Sequence, residues 1–357
     1  MKAKITISDV ASAAGVSIGT VSKVFNPNVS NTIKISEKTR VSVLETTKNL
    51  GYTPSYGARL IRSGRSFTVG FAIESERNVD PFLSSYTMEI LNGIGMEAIK
   101  KGYQVLVSTG YDYPALFKTG RIDGIAIIGY CRETCGLEDE LCSAYDFMES
   151  EACPFVLING VRAKKQMPSI SIDNRAGVEQ IVSLILRKGY RKVGFLGELG
   201  GNRQVHHIER ETILRALLKA NGYEVDDRRF IHGVTDERGD IPREGKYSHT
   251  DGISGMRILH QRGLDIDCLV CGNDAIAMGA LKYCKDQGIA VPERMSLIGF
   301  DDSLESEFLV PALTTVSQPM RKMGGMAFDI LMDAINKPGG NVRSELLKPT
   351  LIERASA

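Results

Sequence analysis

Seven cysteines and five histidines are the side chains in these 357 residues best suited to metal ligation, redox exchange or nucleophilic attack, and their spacing speaks against all three. Cys268 and Cys271 form a C-x-x-C pair. A zinc or redox pair wants a second such pair or nearby histidines, whereas Cys268-Leu269-Val270-Cys271 reads as a buried apolar strand. Cys131, Cys135, Cys142 and Cys153 fit no ligand spacing and read as buried thiols too. An odd cysteine count in a chain that opens MKAKITISDV, with no apolar leader segment, predicts free thiols and a cytoplasmic protein. His206 and His207 are adjacent; neighbours on a helix point apart, so both are expected on a solvated face rather than around a metal. No phosphate-binding P-loop and no H-E-x-x-H occurs, and Gly93-x-Gly95 is not followed by the third glycine of a dinucleotide loop. The expectation is a protein with no catalytic residues, no metal and no cofactor.

A different chemistry is open to the N-terminal segment. Residues 1–65 carry ten Lys and Arg against three Asp and Glu, while the remainder carries 34 against 40, so a formal net charge of +1 hides a basic head on an acidic body. Neutralising phosphates needs cationic charge on one face, which suits a nucleic-acid-binding module. Thr6 followed by Asp9 is a capping-box-like start, and Val10, Ala11, Ala13 and Ala14 repeat at helical spacing up to Gly15. Ser17 caps a second helix with Val21, Val24 and Phe25 inward, closed by Asn26-Pro27-Asn28. Ser36 and Glu37 open a third, whose inward stripe is read as Val41, Leu44 and Thr47 or Lys48, ending at Leu50-Gly51.

Two helices joined by Ala14-Gly15-Val16-Ser17 make a helix-turn-helix, with the second helix narrow enough for a major groove. Its outward side chains are then Ile18, Gly19, Ser22 and Lys23. Lys23 suits guanine O6 or N7, Ser22 a base or a phosphate, and Ile18 a thymine methyl. Three such helices would also serve a protein-interaction module; the charge split favours DNA.

Hydrophobic residues at 43% and charged residues at 24% are globular values, and no stretch approaches the roughly 18 apolar residues of a membrane span. The body alternates apolar strands (67–73, 103–108, 125–128, 155–158, 193–196, 269–271, 296–300) with amphipathic segments near 83–101, 175–188, 208–221, 274–287 and 319–336. Such alternation predicts α/β architecture with parallel sheets covered on both faces. Gly102-Tyr103, Gly189-Tyr190 and Gly222-Tyr223 repeat one junction, with glycine left-handed before the next strand. Nearly 290 residues of βα units suit two lobes with a cleft.

Ile5-Thr6-Ile7-Ser8-Asp9-Val10-Ala11, Ala14-Gly15-Val16-Ser17, Thr20-Val21-Ser22-Lys23-Val24, Ile35-Ser36 with Thr39-Arg40, and Leu50-Gly51-Tyr52 with Pro54 resemble the headpiece of the lactose-repressor (LacI/GalR) transcription regulators. Departures are Lys23 where the family has Arg, a longer 26–36 loop, and Ser55 for Asn. Further on, Pro81-Phe82, Asp123-Gly124-Ile125, Asp173-Asn174-Arg175-Ala176-Gly177, Asn273-Asp274, Gly299-Phe300-Asp301-Asp302, Leu313-Thr314-Thr315-Val316 and Gln318-Pro319 look like that family's effector domain. Segments 129–150 and 233–251 match poorly.

The resemblance implies an all-α helix-turn-helix headpiece (1–51), a hinge helix or linker (52–65) and a two-lobed periplasmic-binding-protein-like effector and dimerisation domain (66–357). Its N-lobe would combine 66–159 with 319–338, and its C-lobe 160–318 with 339–357. It implies DNA contacts at Thr6, Ser17, Ile18, Gly19, Thr20, Ser22, Lys23, Arg40 and Tyr52, and at Arg59, Ile61 and Arg62 in the hinge, Ile61 being the apolar wedge at a kinked minor-groove step. Effector contacts would be Arg210, Asn273 and Asp301, with Phe82, Asp173 and Gln318 supporting. For each the alternative is structural: Asn273 and Asp301 as helix caps, Arg210 paired with Glu211 or a neighbour, and Phe82 as plain core. The implied partners are a palindromic double-stranded operator, a second copy of the chain and a small-molecule effector, a sugar or sugar phosphate or else a purine. The tail after Ile352 is too short for a tetramerising helix, so a dimer is expected. A solute-binding sensor is the other reading, disfavoured by the basic headpiece.

Overall fold

The computed structural model describes residues 5–25, 35–52, 63–73, 85–108, 113–128, 152–159, 167–199, 205–233, 248–263 and 265–357. It divides into two compact units, Met1–Phe67 and Thr68–Ala357.

In the first unit, α1 (Ile7–Ala14) starts on a reciprocal capping box, with Asp9 N donating to Thr6 Oγ1 and Thr6 N donating to Asp9 Oδ2. Gly15, left-handed at φ 65°, stops α1 and turns the chain into α2 (Ile18–Phe25). Ser17 Oγ accepts from Thr20 N at 3.1 Å to cap it. α3 (Glu37–Leu50) is capped by Ser36 and closed by left-handed Gly51. Val10, Ala11, Val21, Val24 and Val43 form the small core, with Ile7, Phe25, Ile35, Leu50 and Tyr52 packed around it.

The inward stripe of α3 is not the expected one. Val41 and Leu44 are 43% and 38% exposed, while Val43 and Thr47 are buried. Positions 43, 47 and 50 make the true i, i+4, i+7 stripe; Thr47 enters it because its hydroxyl donates to the Val43 carbonyl at 2.7 Å, so no polar group is stranded.

Among the described residues the second unit holds two six-stranded sheets. The first lobe contains β1 (Thr68–Ile73), α4 (Ser85–Lys100), β2 (Gln104–Ser108), α5 (Tyr113–Lys118), β3 (Gly124–Ile128), β4 (Phe155–Ile158) and β5 (Ser169–Ile172). The chain then enters the second lobe: α6 (Asn174–Lys188), β6 (Val193–Leu196), α7 (Val205–Ala220), β7 (Phe230–Ile231), α8 (Ser248–Gln261), β8 (Cys268–Cys271), α9 (Asp274–Asp286), β9 (Ser296–Asp301) and β10 (Thr314–Ser317). It returns through α10 (Met320–Asn336) and β11 (Ser344–Leu347) before β12 (Thr350–Ile352).

The sheet orders are β11-β5-β4-β3-β1-β2 and β12-β10-β9-β8-β6-β7. Among the described residues every pairing is parallel except β10 with the edge strand β12. Left-handed φ values at Gly102, Gly189 and Gly222 bear out the repeated helix-to-strand junction. Gly93 is a contact glycine, not a phosphate-loop residue: a Cβ there would lie 2.1 Å from the Arg321 carbonyl oxygen of α10.

Sheet membership moves the expected lobe borders. The first crossing falls at Asp173 rather than after 159, because β5 adds to β4 before the chain leaves. The last falls at Lys348-Pro349 rather than after 338, because β11 pairs with β5 in the first sheet. The middle crossing is at Gln318-Pro319, between β10 and α10.

Candidate nucleic-acid interface and ligand cleft

On α2, Ser17 and Gly19 are exposed and Ile18 is 48% exposed, so the helix presents its N-terminal turn to solvent. Thr20, Ser22 and Lys23 are half-buried. Lys23 differs from the outward side chain expected of it: its ammonium is enclosed, with no hydrogen-bond partner among the described residues. A buried cation without a partner is costly, and a phosphate or a guanine edge would supply one. Thr6 is committed to its capping box, which holds the Asp9 carboxyl below its ordinary range. Arg40 is exposed and pairs with Glu37 at 3.1 Å, an exchangeable surface bridge. Tyr52 packs on Phe25, ring centres 6.2 Å apart. Arg59, Ile61, Arg62 and Phe82 lie outside the described residues, as do most of segments 129–150 and 233–251.

Asn273, Asp301 and Gln318, three of the residues expected at the effector, follow or end strands of the second sheet. Arg210 on α7 is buried, with Nε donating to Asn174 Oδ1 at 2.9 Å and Nη1 to the Gly272 carbonyl at 2.6 Å. Its guanidinium carbon stacks 3.6 Å from the centre of the Phe300 ring. Burial lowers its pKa, opposed chiefly by Asp301; a guanidinium so placed remains cationic. The surface pair with Glu211 does not form; Glu211 instead accepts from Arg215 and meets His232.

Asp301 ends β9 at φ 145°, followed by Asp302 at φ 60°, two left-handed non-glycine residues in succession. Such conformations are held by their surroundings and cluster at ligand sites. Burial pushes the Asp301 carboxyl up to about 8; the Asp274 charge adds to this and Arg210 opposes it. At neutral pH the group is therefore largely protonated and can donate a hydrogen bond. Gln318 Nε2 donates to Asp301 Oδ1 at 2.6 Å. Gln318 is buried, and its Oε1 has no partner among the described residues.

Two expected contacts have structural employment. Asn273 Oδ1 caps α9 by accepting from Ile276 N at 2.8 Å, and Asp173 Oδ1 caps α6 by accepting from Ala176 N at 2.9 Å. Each nevertheless abuts an Arg210 partner, Gly272 and Asn174 respectively. Asp274 is scaffold: buried, it accepts from Thr315 Oγ1, Ser306 Oγ and Ser303 N and so fixes the loop after β9.

The histidine pair is not a solvated face. His207 is buried against Gly272 and His206 is half-buried, its Nε2 2.5 Å from the Asn159 carbonyl of the first lobe. Burial and the Arg210 charge push His206 down to about 4 and His207 well below its ordinary value, so both rings are neutral. The missed signal was period: the buried positions of α7 are His207, Arg210, Leu214 and Leu218, a core-facing stripe whose first two members are polar. Among the described residues no three His, Cys, Asp or Glu gather to hold a metal, and Cys153, Cys268, Cys271 and Cys284 are buried free thiols. No helix among them is long and apolar enough to cross a membrane.

Residues 6–55 match the lacI family of bacterial regulatory proteins, and residues 182–357 match a periplasmic binding protein-like domain. The HTH-type transcriptional regulator CelR of Thermobifida fusca is 28% identical over 340 residues, 92% of each chain. The HTH-type transcriptional repressor PurR of Serratia proteamaculans is 29% identical over 364 residues, 98% of this chain and 96% of that one. Among solved structures, a CelR–cellobiose complex superposes with TM-score 0.69 at 26% identity, covering 99% of this chain and 100% of the other. A lac repressor dimer bound to operator and the anti-inducer ONPF superposes with TM-score 0.78 at 21% identity over 99% of each chain, a likeness of fold.

Proposed function

We propose, for a chain that belongs to the lacI family of bacterial regulatory proteins, that it is a dimeric DNA-binding transcriptional repressor whose effector is a neutral, sugar-like molecule held between the two lobes. Its family members are regulators rather than enzymes. The observation that carries the choice of ligand is the cluster of Arg210, Asp301 and Gln318. A cationic planar donor, a carboxyl raised to about 8 and an orphaned amide oxygen together offer donors and an acceptor to hydroxyl groups. The relative crystallised with cellobiose makes a disaccharide the first candidate.

In this reading residues 1–51 read the operator, 52–65 form the hinge with Ile61 as wedge, and 66–357 bind effector and partner copy. Ser17, Ile18, Gly19, Thr20 and Ser22 face the major groove, and Lys23, whose ammonium is enclosed in the free chain, swings out to reach it; Thr6, Arg40, Tyr52, Arg59 and Arg62 position the helix on the backbone. Asn273, Asp173 and Phe82 complete the ligand site. The second copy docks on exposed apolar side chains that a monomer would leave wet, Ile99 on α4 and Leu304, Phe308 and Val310 after β9. The protein works where the chromosome is, in the cytoplasm. Effector binding shifts the lobes, and a coupling of about 1–3 kcal/mol changes operator affinity roughly 5- to 150-fold.

The test is selection of binding sites from random duplexes with full-length protein, retested across a salt series and with pooled sugars or purines. A palindrome whose affinity falls steeply with salt and responds to a sugar supports the reading. Recovery of no motif under any condition overturns it, and a purine response overturns the choice of ligand.

A further inference from the structure

The His206–Asn159 contact belongs to neither lobe alone. Asn159 follows β4 in the first lobe, is buried, and holds a left-handed φ of 50° although it is not glycine. Two side-chain bonds keep it there: its Oδ1 accepts from Ile172 N at 3.0 Å, and its Nδ2 meets the hydroxyl of Tyr86 on α4. Ile172 is the last residue before the crossing at Asp173. The strained turn, the crossing and α4 are thus tied to one residue, whose carbonyl is left to face the second lobe.

From the second lobe, His206 in the first turn of α7 brings Nε2 to 2.5 Å of that carbonyl oxygen. A carbonyl only accepts, so Nε2 must carry the proton. One turn further along α7, Arg210 makes its bonds to Asn174 and Gly272. Ser85 Oγ also crosses, donating to Glu305 at 2.9 Å, but Glu305 is exposed and water competes for it.

We propose that His206 is a positioning residue that latches the two lobes, its Nε2–H donated to the Asn159 carbonyl setting how far the cleft closes without ligand. An effector seated against Arg210 then finds the first lobe already placed over it. Loss of the latch leaves the lobes free to open and lowers effector affinity by the fraction of time they are apart. The statement about closure is independent of the ligand and of DNA; the statement about affinity rests on the regulator reading above.

The test compares His206→Gln, His206→Asn and His206→Ala in the full-length protein without ligand. Glutamine places an amide N–H near the position of imidazole Nε2, while asparagine reaches only as far as Nδ1. Small-angle scattering is expected to give wild type and the Gln variant the same radius of gyration, and the Ala and Asn variants a larger one. Hydrogen exchange at the Ile172 amide is expected to be about 2- to 10-fold faster in Ala and Asn than in Gln, the span of one net hydrogen bond. Closure and exchange unchanged in the Ala variant, or the Asn variant protected as well as the Gln variant, overturn the latch. Should the Ala variant fail to fold, the Gln and Asn pair decides. Cellobiose is then titrated as the probe: no response in any variant, with the scattering and exchange pattern as expected, defeats the ligand reading and leaves the latch standing.

Discussion

The Arg210 guanidinium carbon lies 3.6 Å from the centre of the Phe300 ring, and Gly177 is the reason that ring can sit there. A Cβ at Gly177 would come within 2.9 Å of the ring's Cε2 and Cζ atoms. Gly177→Ala is therefore expected to displace Phe300, and Arg210 with it, costing about 1–3 kcal/mol of stability. Thermal unfolding reads the cost, and effector titration should show weakened binding even where the protein is folded. An alanine variant that binds effector as wild type does would mean that Phe300 yields without moving Arg210.

Arg210→Lys keeps a charge but loses the planar fork that bonds Asn174 and the Gly272 carbonyl. Two buried acceptors are left poorly satisfied, an expected destabilisation of about 2 kcal/mol. Effector affinity should fall at least about tenfold, because the stacked geometry over Phe300 is lost as well. Operator affinity without effector should stay near wild type in a filter-binding or anisotropy titration.

His206 and His207 each work against the fold in acid. His206 has a native pKa near 4 against 6.5 for a free imidazole, and His207 is also displaced downward. At these two sites the unfolded chain binds protons that the native state refuses, so their contribution to stability falls as pH drops from 6.5 towards 4. His206 alone removes up to about 3 kcal/mol over that window. Asp301, raised to about 8, acts in the opposite sense over the same window, so the quantity to read is a difference: in urea titrations at pH 7.5, 6 and 5, His206→Gln should gain stability relative to wild type as the pH falls.

Phe308 and Val310 are 73% and 89% exposed in the isolated chain. Glutamate at both positions should leave the protomer folded and shift sedimentation towards monomer. Operator affinity should fall by at least about tenfold, since two headpieces on one palindrome bind as a linked pair. A double variant that remains dimeric would place the interface elsewhere.

In α2, Lys23→Ala should cost about 1–3 kcal/mol at one operator position and relax the base preference there, while leaving binding to other positions unchanged. Loss that is equal for every sequence would make Lys23 a phosphate contact. Site selection with the variant tells the two apart.

The sequence by itself determined what depends on near neighbours. Thr6 with Asp9, Gly15 after Ala14, and Ser36 before Glu37 each solve a helix end within four residues, so the three headpiece helices and their turn were legible without coordinates. The apolar runs of β1, β3, β4, β6, β8 and β9 were legible for the same reason, being strands buried along their length. Tertiary structure decided whatever rests on a distant partner. Short, polar β5 and β11 are strands because they hydrogen-bond to each other across nearly half the chain, and they move two of the crossings. Thr47 is core because Val43 accepts its hydroxyl, and His206 is drawn out of solvent because Asn159 of the other lobe turns a carbonyl towards it. Periodicity ranks side chains by their taste for water, and a polar side chain whose hydrogen bond is made by a remote segment escapes that ranking.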